Sequence, residues 1–408
     1  MILKWLRPEW LMRNNEEKRD GKTNPYSGEY ATGILCAGSR NNPAVSVWNQ
    51  KSKNVGNTFG AGEQNIADSD FEYRMTAQSD KGYYLWERIH KDQLQPRLIF
   101  MDRETRRVVP LCNKPDCVHE GKDCNAYYSY VDSAEGGVDR RYLQYYEGNL
   151  YAVGLSADDY VVLYRIKEDG SEWDVCTKLY KTDYSSTSHW ISPEVLIKDG
   201  YVYFIDAKQE KMKLERVPID GGTQPETVFE EVSEALYVDV HRMKSKDQYI
   251  YFQSVAFTDE NFDYSLGALY RYDTISGQCN VVKESLYGPY SVREDFVYYA
   301  NADGLCRYSM ENGTIEIIND HPMSVPNITL TNDYIVLCDQ MMDHSLYIYD
   351  YEGNELLAVP NTVGLLQCFG GNSELMFGEC AVDGGLGLCF LDLTRPLDEL
   401  EWEELKAD

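Results

Sequence analysis

One feature of the sequence constrains the fold more than any other: a short unit recurs along most of the chain. Each unit has two apolar, Tyr-rich runs separated by a variable loop, as in KDQYIYFQ and ALYRYDTISGQ within Lys246–Glu284. Alignment on the second run gives seven copies, at Met101, Ile166, Val217, Tyr272, Tyr308, Tyr349 and Leu391. Positions 101 and 391 differ by 290 residues, so the six steps average about 48 residues each, within the range typical of solenoid and propeller repeats.

Repeats of this length built from four strands are typical of β-propeller blades. In the fifth copy the predicted strands are PYSVRE, FVYYAN, LCRYSM and TIEIIN. The runs are separated by Gly, Asn and Asp, which tolerate the positive φ of tight hairpin turns. The sequence therefore predicts an all-β fold, a seven-bladed β-propeller of four-stranded antiparallel blades, with six or eight blades as alternatives. Two β-sandwiches of about 170 residues each are the competing architecture.

The repeats do not extend to the N-terminus. Residues 1–70 are rich in Asn, Ser, Gly and charged side chains, and they show little apolar periodicity. We expect an irregular N-terminal extension over 1–70 and a propeller over 71–408. The run ATGILCAG at 31–38 is similar to the end of a secretion signal and suggests a vestigial export segment, although it is short. The outer strand of the seventh blade is predicted either from LEWEEL near the C-terminus or from the N-terminal region.

Composition limits the classes of partner. The 408 residues carry a net charge of -28, so the surface repels phosphate backbones and we expect no nucleic-acid binding. No apolar run approaches the roughly 20 residues of a membrane span. The 33 Tyr outnumber the 12 Phe. Tyrosine suits half-buried strand surfaces because its ring packs while its hydroxyl stays in contact with water.

One run of Cys and His residues has a spacing that fits a defined chemical role. Between the first and second copies lies LCNKPDCVHEGKDC, in which Cys112, Cys117, His119 and Cys124 follow the pattern Cys-x4-Cys-x-His-x4-Cys. Three thiolates and an imidazole can complete a tetrahedral Zn²⁺ site, and a closed set of four indicates a structural site. The alternative is a disulfide within Cys112, Cys117 and Cys124, which would suit an exported protein. The chain has eleven cysteines, an odd number, so at least one thiol is unpaired in a monomer.

The run LCNKPDCVHEGKDCNAYY, which follows a Tyr-rich strand pair, resembles a family of uncharacterised bacterial β-propeller proteins. Many members are predicted envelope lipoproteins, loosely related to TolB-like and prolyl-oligopeptidase-type propellers. The resemblance extends from about residue 71 to the C-terminus and is most specific in the Cys/His run. It implies a propeller fold and an extracytoplasmic location, and it implies no activity. This chain departs from the family pattern because it lacks a clear signal peptide, so a cytoplasmic location stays an alternative.

We expect a monomeric, non-catalytic binding propeller that recognises a glycan or a protein through loops on one face. Aromatic side chains in two loops are the candidate ligand contacts: Tyr184, His189, Trp190, Phe262 and Tyr264. We identify no catalytic residue, because no Gly-x-Ser-x-Gly elbow is present and sequence cannot place two carboxylates at a working separation. The alternatives are a glycan hydrolase or lyase that uses the central channel, and an intracellular assembly scaffold.

Overall fold

The structure is a computed structural model, and it describes residues 75–88, 96–119, 123–128, 136–181, 194–208, 211–232, 237–257, 265–286, 288–322, 326–339, 346–382 and 385–406. All of these belong to one compact unit, Asn49–Asp183 with Ile191–Asp408. The other unit, Met1–Trp48 with Tyr184–Trp190, lies outside the described residues. The predicted irregular extension over 1–70 also lies outside them and stays a prediction.

The described residues form seven four-stranded antiparallel sheets. Blade 1 contains β1 (Thr76–Gln78), β2 (Gly82–Arg88), β3 (Pro96–Asp102) and β4 (Val108–Pro110). Blade 2 contains β5 (Gly136–Tyr146), β6 (Asn149–Ser156), β7 (Tyr160–Lys167) and β8 (Trp173–Lys181). Blade 3 contains β9 (Val195–Lys198), β10 (Tyr201–Lys208), β11 (Lys211–Pro218) and β12 (Glu226–Val232). Blade 4 contains β13 (Tyr237–Lys246), β14 (Tyr249–Phe257), β15 (Ser265–Asp273) and β16 (Cys279–Glu284).

The remaining three blades follow the same order. Blade 5 contains β17 (Tyr290–Arg293), β18 (Phe296–Asn301), β19 (Gly304–Ser309) and β20 (Ile315–Asn319). Blade 6 contains β21 (Pro326–Leu330), β22 (Ile335–Asp339), β23 (Leu346–Tyr349) and β24 (Glu355–Val359). Blade 7 contains β25 (Leu365–Gly371), β26 (Leu375–Val382), β27 (Gly385–Asp392) and β28 (Trp402–Leu405). A 3₁₀ turn, Leu397–Glu399, precedes β28.

The sheets form a ring, and the predicted seven-bladed propeller is confirmed. All seven aligned positions of the repeat lie on the third strand of a blade and pair with its second strand, as Met101 does with Tyr83 and Tyr272 with Ile250. In blades 2 to 5, the turn between the first and second strands contains the expected positive φ. Glu147 (φ 45°) and Gly148 (φ 77°) form one of them.

The hydrophobic core lies between neighbouring blades. One cluster packs Tyr203 and Leu214 of blade 3 against Phe252 of blade 4, and another packs Tyr83 of blade 1 against Phe377 of blade 7. A single blade cannot cover both of its faces, so each face is buried by the next blade. The fully buried aromatic rings of the second strands supply much of this apolar area.

First strands of neighbouring blades contact one another at five of the seven junctions: β1 with β5, β5 with β9, β9 with β13, β17 with β21 and β21 with β25. Buried edge groups need hydrogen-bond partners. A polar bond crosses each of the seven junctions. From blades 1 and 2 round to blades 7 and 1, the donors and acceptors are Trp86 Nε1 to Tyr142 O, Gln144 Nε2 to Ile197 O, Met243 N to Glu194 Oε2, Lys244 Nζ to Tyr290 O, Ser291 Oγ to Ile328 O, Asn327 Nδ2 to Cys368 O, and Asn372 Nδ2 to Gln78 Oε1.

Among the residues that the structure describes, the ring closes between blade 7 and blade 1 without exchange of a strand. The outer strand of blade 7 is β28, which lies within LEWEEL and pairs with β27, so the C-terminal candidate is confirmed. Side chains join the two blades instead. The Tyr83 hydroxyl donates to Glu374 Oε2 at 2.8 Å, Arg103 pairs with the same carboxylate, and Arg106 pairs with Asp392 at 3.1 Å.

Candidate metal centre

The Cys/His run forms the connection from blade 1 to blade 2, and both of its ends are fixed against β3. Leu111 N, just after β4, donates to Leu98 O at 2.9 Å. The chain then leaves the sheet and returns, so that Leu98 N donates to Ala126 O at 2.8 Å. We call the excursion between these two points, residues 112–125, the metal loop. Both ends of the loop are held next to Leu98 on β3, so the first and last residues of the loop lie close together.

The four predicted ligand side chains converge in the metal loop. One ligand atom from each of Cys112, Cys117, His119 and Cys124 lies within 4.8 Å of the other three, and no other such group of His, Cys, Asp and Glu occurs in the described part of the chain. Cys124 Sγ lies 3.5 Å from His119 Nδ1. A tetrahedral Zn²⁺ with ordinary Zn–S and Zn–N bonds would separate these two atoms by about 3.6 Å. The cluster can therefore hold a metal ion.

The three cysteines of the loop are near one another but are not disulfide-bonded, and the ten cysteines in the described ranges are all free. Side-chain contacts fix the loop's shape. Lys114 Nζ donates to Asp123 O, and the Tyr127 hydroxyl donates to His119 O at 3.2 Å. His119 itself has φ 54°, the left-handed conformation that reverses the chain next to Cys117.

Backbone N–H groups point at two of the sulfur atoms. Ala126 N–H donates to Cys124 Sγ at 3.4 Å, and the N–H groups of Lys114 and Asn125 donate to Cys112 Sγ. Burial is the largest influence on the Cys112 thiol and acts to raise its pKa, but these N–H donors and the neighbouring thiols together hold the pKa of Cys112 below its ordinary value. Donors aimed at sulfur stabilise a thiolate, the form that binds metals.

The pKa of the Cys124 thiol is shifted in the opposite direction. Only 2% of this residue is exposed, and burial, with the neighbouring thiols adding to it, raises the pKa of Cys124 to about 12. At neutral pH this thiol is protonated in the metal-free cluster. A metal ion that binds all three sulfur atoms must displace such protons, so binding and deprotonation are coupled.

Residues outside the Cys/His run also shape the site. The turn between β7 and β8 packs against Leu111, where Gly170 (φ 70°) leaves no room for a side chain. Tyr128, at the end of the returning segment, packs between Trp86 and Trp173. The spacing of Cys and His could not identify these residues, because their proximity depends on how two blades meet.

The structure does not describe the predicted ligand contacts in the aromatic loops. Tyr184, His189, Trp190, Phe262 and Tyr264 all lie outside the described residues, so their predicted role stays a prediction. Within the described ranges, no helix combines the length and apolarity that crossing a membrane requires.

No protein-family model matches the chain, and no curated protein matches it in sequence. Solved structures do match. Prolyl oligopeptidase B from Galerina marginata is 12% identical, with a TM-score of 0.52, over 80% of this chain and 49% of that one. Puromycin hydrolase is 12% identical, with a TM-score of 0.50, over 84% of this chain and 56% of that one. TolB from Acinetobacter baumannii is 9% identical over 67% of this chain and 62% of that one, with a TM-score of 0.38 that is too low to draw on.

These similarities are at the level of the fold. The chain spans about half the length of the two hydrolases it matches. Identities near 10% carry over neither substrate nor activity.

Proposed function

We propose that the metal loop holds one structural Zn²⁺, bound by Cys112, Cys117, His119 and Cys124, within a non-catalytic binding propeller. The observation that carries the zinc proposal is the convergence of four ligand atoms, with a sulfur–nitrogen separation of 3.5 Å. Three sulfur ligands and one imidazole favour a soft or borderline ion such as Zn²⁺ over Ca²⁺ or Mg²⁺. Four protein ligands fill a tetrahedron and leave no position for substrate.

The role of the ion is to fix the junction of blades 1 and 2. The described part of the metal loop has no strand of its own, and its tip is exposed, with Val118 78% accessible. A bound ion links both ends of this loop to its tip. Since the sulfur ligands are poorly organised in an unfolded chain, the binding free energy adds to the stability of the folded state.

Metal analysis tests the zinc proposal. We expect about one zinc per chain in freshly purified protein, and its loss on Cys117→Ser, because a tetrahedral site loses one of its four ligands. Cys176→Ser is the matched control, since Cys176 is also partly buried but its thiol donates to Leu163 O at 3.3 Å in blade 2. A metal-free protein with two thiols missing from the free-thiol count would establish the disulfide instead.

The wider function that we propose is recognition of a glycan or a protein ligand at the cell envelope by a monomeric chain. Propellers present the loops of every blade around one axis, which suits binding. The two aromatic loops lie between strands of this ring, one between β8 and β9 and the other between β14 and β15. The resemblance of the Cys/His run to envelope proteins supports the location. A glycan hydrolase or lyase, or an intracellular scaffold, is the alternative.

Array binding distinguishes these functions. We expect the intact chain to bind a defined class of glycan or peptide, and Trp190→Ala to weaken that binding at least tenfold, because a tryptophan ring can supply stacking area to a ligand. Trp173→Ala, at a half-exposed tryptophan on β8, is the control that should leave binding unchanged. A shortened glycan product would support the enzyme alternative, and failure to bind any glycan or peptide would contradict the binding proposal.

A further inference from the structure

The outer strand of blade 5 carries two exposed apolar side chains. Ile315 and Ile317 on β20 are each 54% accessible. In the antiparallel register these residues lie opposite Tyr308 and Cys306 of β19, respectively. The Tyr308 hydroxyl donates to Val282 O on β16 of blade 4 at 2.9 Å. Side chains of paired residues lie on the same face of a sheet, so both isoleucines face blade 4.

A lysine of blade 4 lies between two tyrosine rings on this face. Lys283 on β16 places its Nζ 5.6 Å from the ring centre of Tyr299 and 5.6 Å from that of Tyr308. Tyr308 pairs directly with Ile315. Tyr299 lies in the same cross-strand row as Ile317, two strands further in. The ammonium group therefore lies against the rows that end in the two isoleucines, and we call the space bounded by these five side chains the rim groove.

The ammonium group of Lys283 has no carboxylate partner among the described residues. It donates to a backbone oxygen, Glu284 O, at 3.2 Å. The acid on β20, Glu316, is paired with Arg307 at 2.6 Å. Burial is the largest influence on Lys283 and lowers its pKa, an effect that a carboxylate placed beside the ammonium group would oppose. The rim groove can therefore accept one negatively charged group.

Strand β20 is also a free sheet edge. Within the described residues it pairs with β19 alone, so the backbone groups on its outer side can pair with an added strand. An added strand would set every second side chain beside Ile315 and Ile317, on the face where Lys283 lies. The outer strand of blade 3, β12, is less suited to such pairing, because three of its seven residues are glutamate.

We infer that the rim groove binds an extended peptide that has alternating apolar side chains and one carboxylate. The peptide pairs with the edge of β20, packs its apolar side chains on Ile315 and Ile317, and places its carboxylate on Lys283. Charge selects this occupant over a second copy of the chain, because two chains of net charge -28 repel each other. The site is built from strands of blades 4 and 5, so it goes beyond the aromatic loops of the proposed function.

Affinity selection from a soluble library of random synthetic peptides, with the intact chain as bait, tests the inference. We expect the enriched sequences to alternate apolar residues and to carry a carboxylate. Binding of the best peptide, measured by fluorescence anisotropy, should weaken about 10- to 100-fold in Lys283→Gln, because a charge-assisted hydrogen bond is lost. Ile317→Ser should weaken it about tenfold, because apolar contact area is lost.

Two modified peptides identify the source of the carboxylate. One replaces the acidic side chain by its amide, and the other carries an amidated C-terminus. The modification that removes the bound carboxylate should weaken binding to the wild type but have little further effect in Lys283→Gln, because the partner charge is already absent there. If neither modification depends on Lys283 in this way, the inferred charge contact is wrong.

Val281→Ser is the matched control for the apolar contact. Val281 is 41% exposed on the same strand as Lys283, but it pairs with Tyr270, whose ring packs against Phe229 of blade 3. Lys211→Gln is the control for charge, since Lys211 is already paired with Glu230 at 3.3 Å. Both controls should leave the affinity unchanged.

The same measurements separate this site from the proposed ligand-binding loops. Trp190→Ala should bind the selected peptide as the wild type does, so a failure of the loop proposal leaves the rim groove standing. A library that yields no binder would overturn the inference. Enriched peptides that bind Lys283→Gln and Ile317→Ser as tightly as the wild type would overturn it too.

Discussion

At the scale of single residues, Gly170 shows how a side chain that is absent can position a site. It lies in the turn between β7 and β8, at φ 70°, and a Cβ atom there would overlap the carbonyl oxygen of Leu111. Leu111 immediately precedes the first ligand, Cys112. The close approach of two backbones therefore fixes the start of the metal loop against blade 2, and only glycine permits both the conformation and the contact.

Gly170→Ala should therefore destabilise the fold and weaken metal binding together. We expect a fall in the free energy of unfolding of roughly 3 kcal/mol, from left-handed strain plus steric overlap. Gly148→Ala is the control: its φ is 77°, but no heavy atom lies within 4 Å of the added Cβ, so we expect about 1 kcal/mol from strain alone. Urea unfolding and zinc competition titration would measure both effects, and equal losses in the two variants would contradict the steric explanation.

The convergence of the four side chains was predictable from sequence, because the Cys and His residues lie within thirteen positions of one another in a single loop. Tyr128 and Gly170 were not predictable as parts of the site. Their roles depend on the meeting of blade 1 with Trp173 and the β7–β8 turn of blade 2, which no local spacing encodes. The sequence left zinc and a disulfide as alternatives, and the separated sulfur atoms of the structure favour the metal.

At the scale of elements, an additional motif recurs across the sheets of blades 2 to 5. A tyrosine of the second strand pairs in register with an arginine of the third strand, and the pairs are Tyr151–Arg165, Tyr203–Arg216, Tyr251–Arg271 and Tyr298–Arg307. In three of these blades the arginine also pairs with an acid of the outer strand: Arg165 with Asp174, Arg216 with Glu226, and Arg307 with Glu316. The guanidinium group covers aromatic surface while its charge is paired at the rim.

This motif explains why the repeat was detectable despite its weak sequence identity. Second and third strands contain most of the buried apolar residues, so their runs stand out, and the arginine precedes the aligned position in the four blades. First strands vary in length from three residues in β1 to eleven in β5. The seven polar bonds between blades use donors of several types, among them glutamine, lysine and serine. The sequence therefore predicted the sheets, but neither the register of their strands nor the bonds that join the blades.

At the scale of the whole molecule, closure depends on side chains, because within the described residues no strand crosses from one terminal blade to the other. Glu374 is the centre of this contact, accepting hydrogen bonds from Tyr83 and Arg103 of blade 1. Burial is the largest influence on the pKa of Glu374 and acts to raise it, but the bonds from Arg103 and Tyr83 lower the pKa below its ordinary value. The carboxylate is therefore more stable in the folded chain than in the unfolded chain.

Glu374→Gln should lower the free energy of unfolding by about 1–3 kcal/mol at neutral pH, since hydrogen bonds to a charged group are lost. The folded pKa is below the unfolded one, so this contribution is fully present above the unfolded pKa, near 4.5, and disappears as pH falls through the lower folded pKa. The difference in free energy of unfolding between wild type and variant should therefore become smaller as the pH falls. Glu316→Gln, which removes a pair inside blade 5, is the control, with an effect of about 0.5 kcal/mol or less. A difference that does not vary with pH would contradict this account.

Closure by side chains has a consequence for the order in which the chain is built on the ribosome. Every sheet is complete once its own four strands have emerged, because each blade is continuous in sequence. The face of blade 1 that packs against blade 7 differs, because its partner residues are far away in sequence. The Tyr83 hydroxyl on this face bonds to Glu374, which lies 291 residues later. Of the described residues, those that cover this apolar face belong to blade 7. Until they are synthesised, the nascent chain presents an aggregation-prone surface that a holding chaperone would recognise.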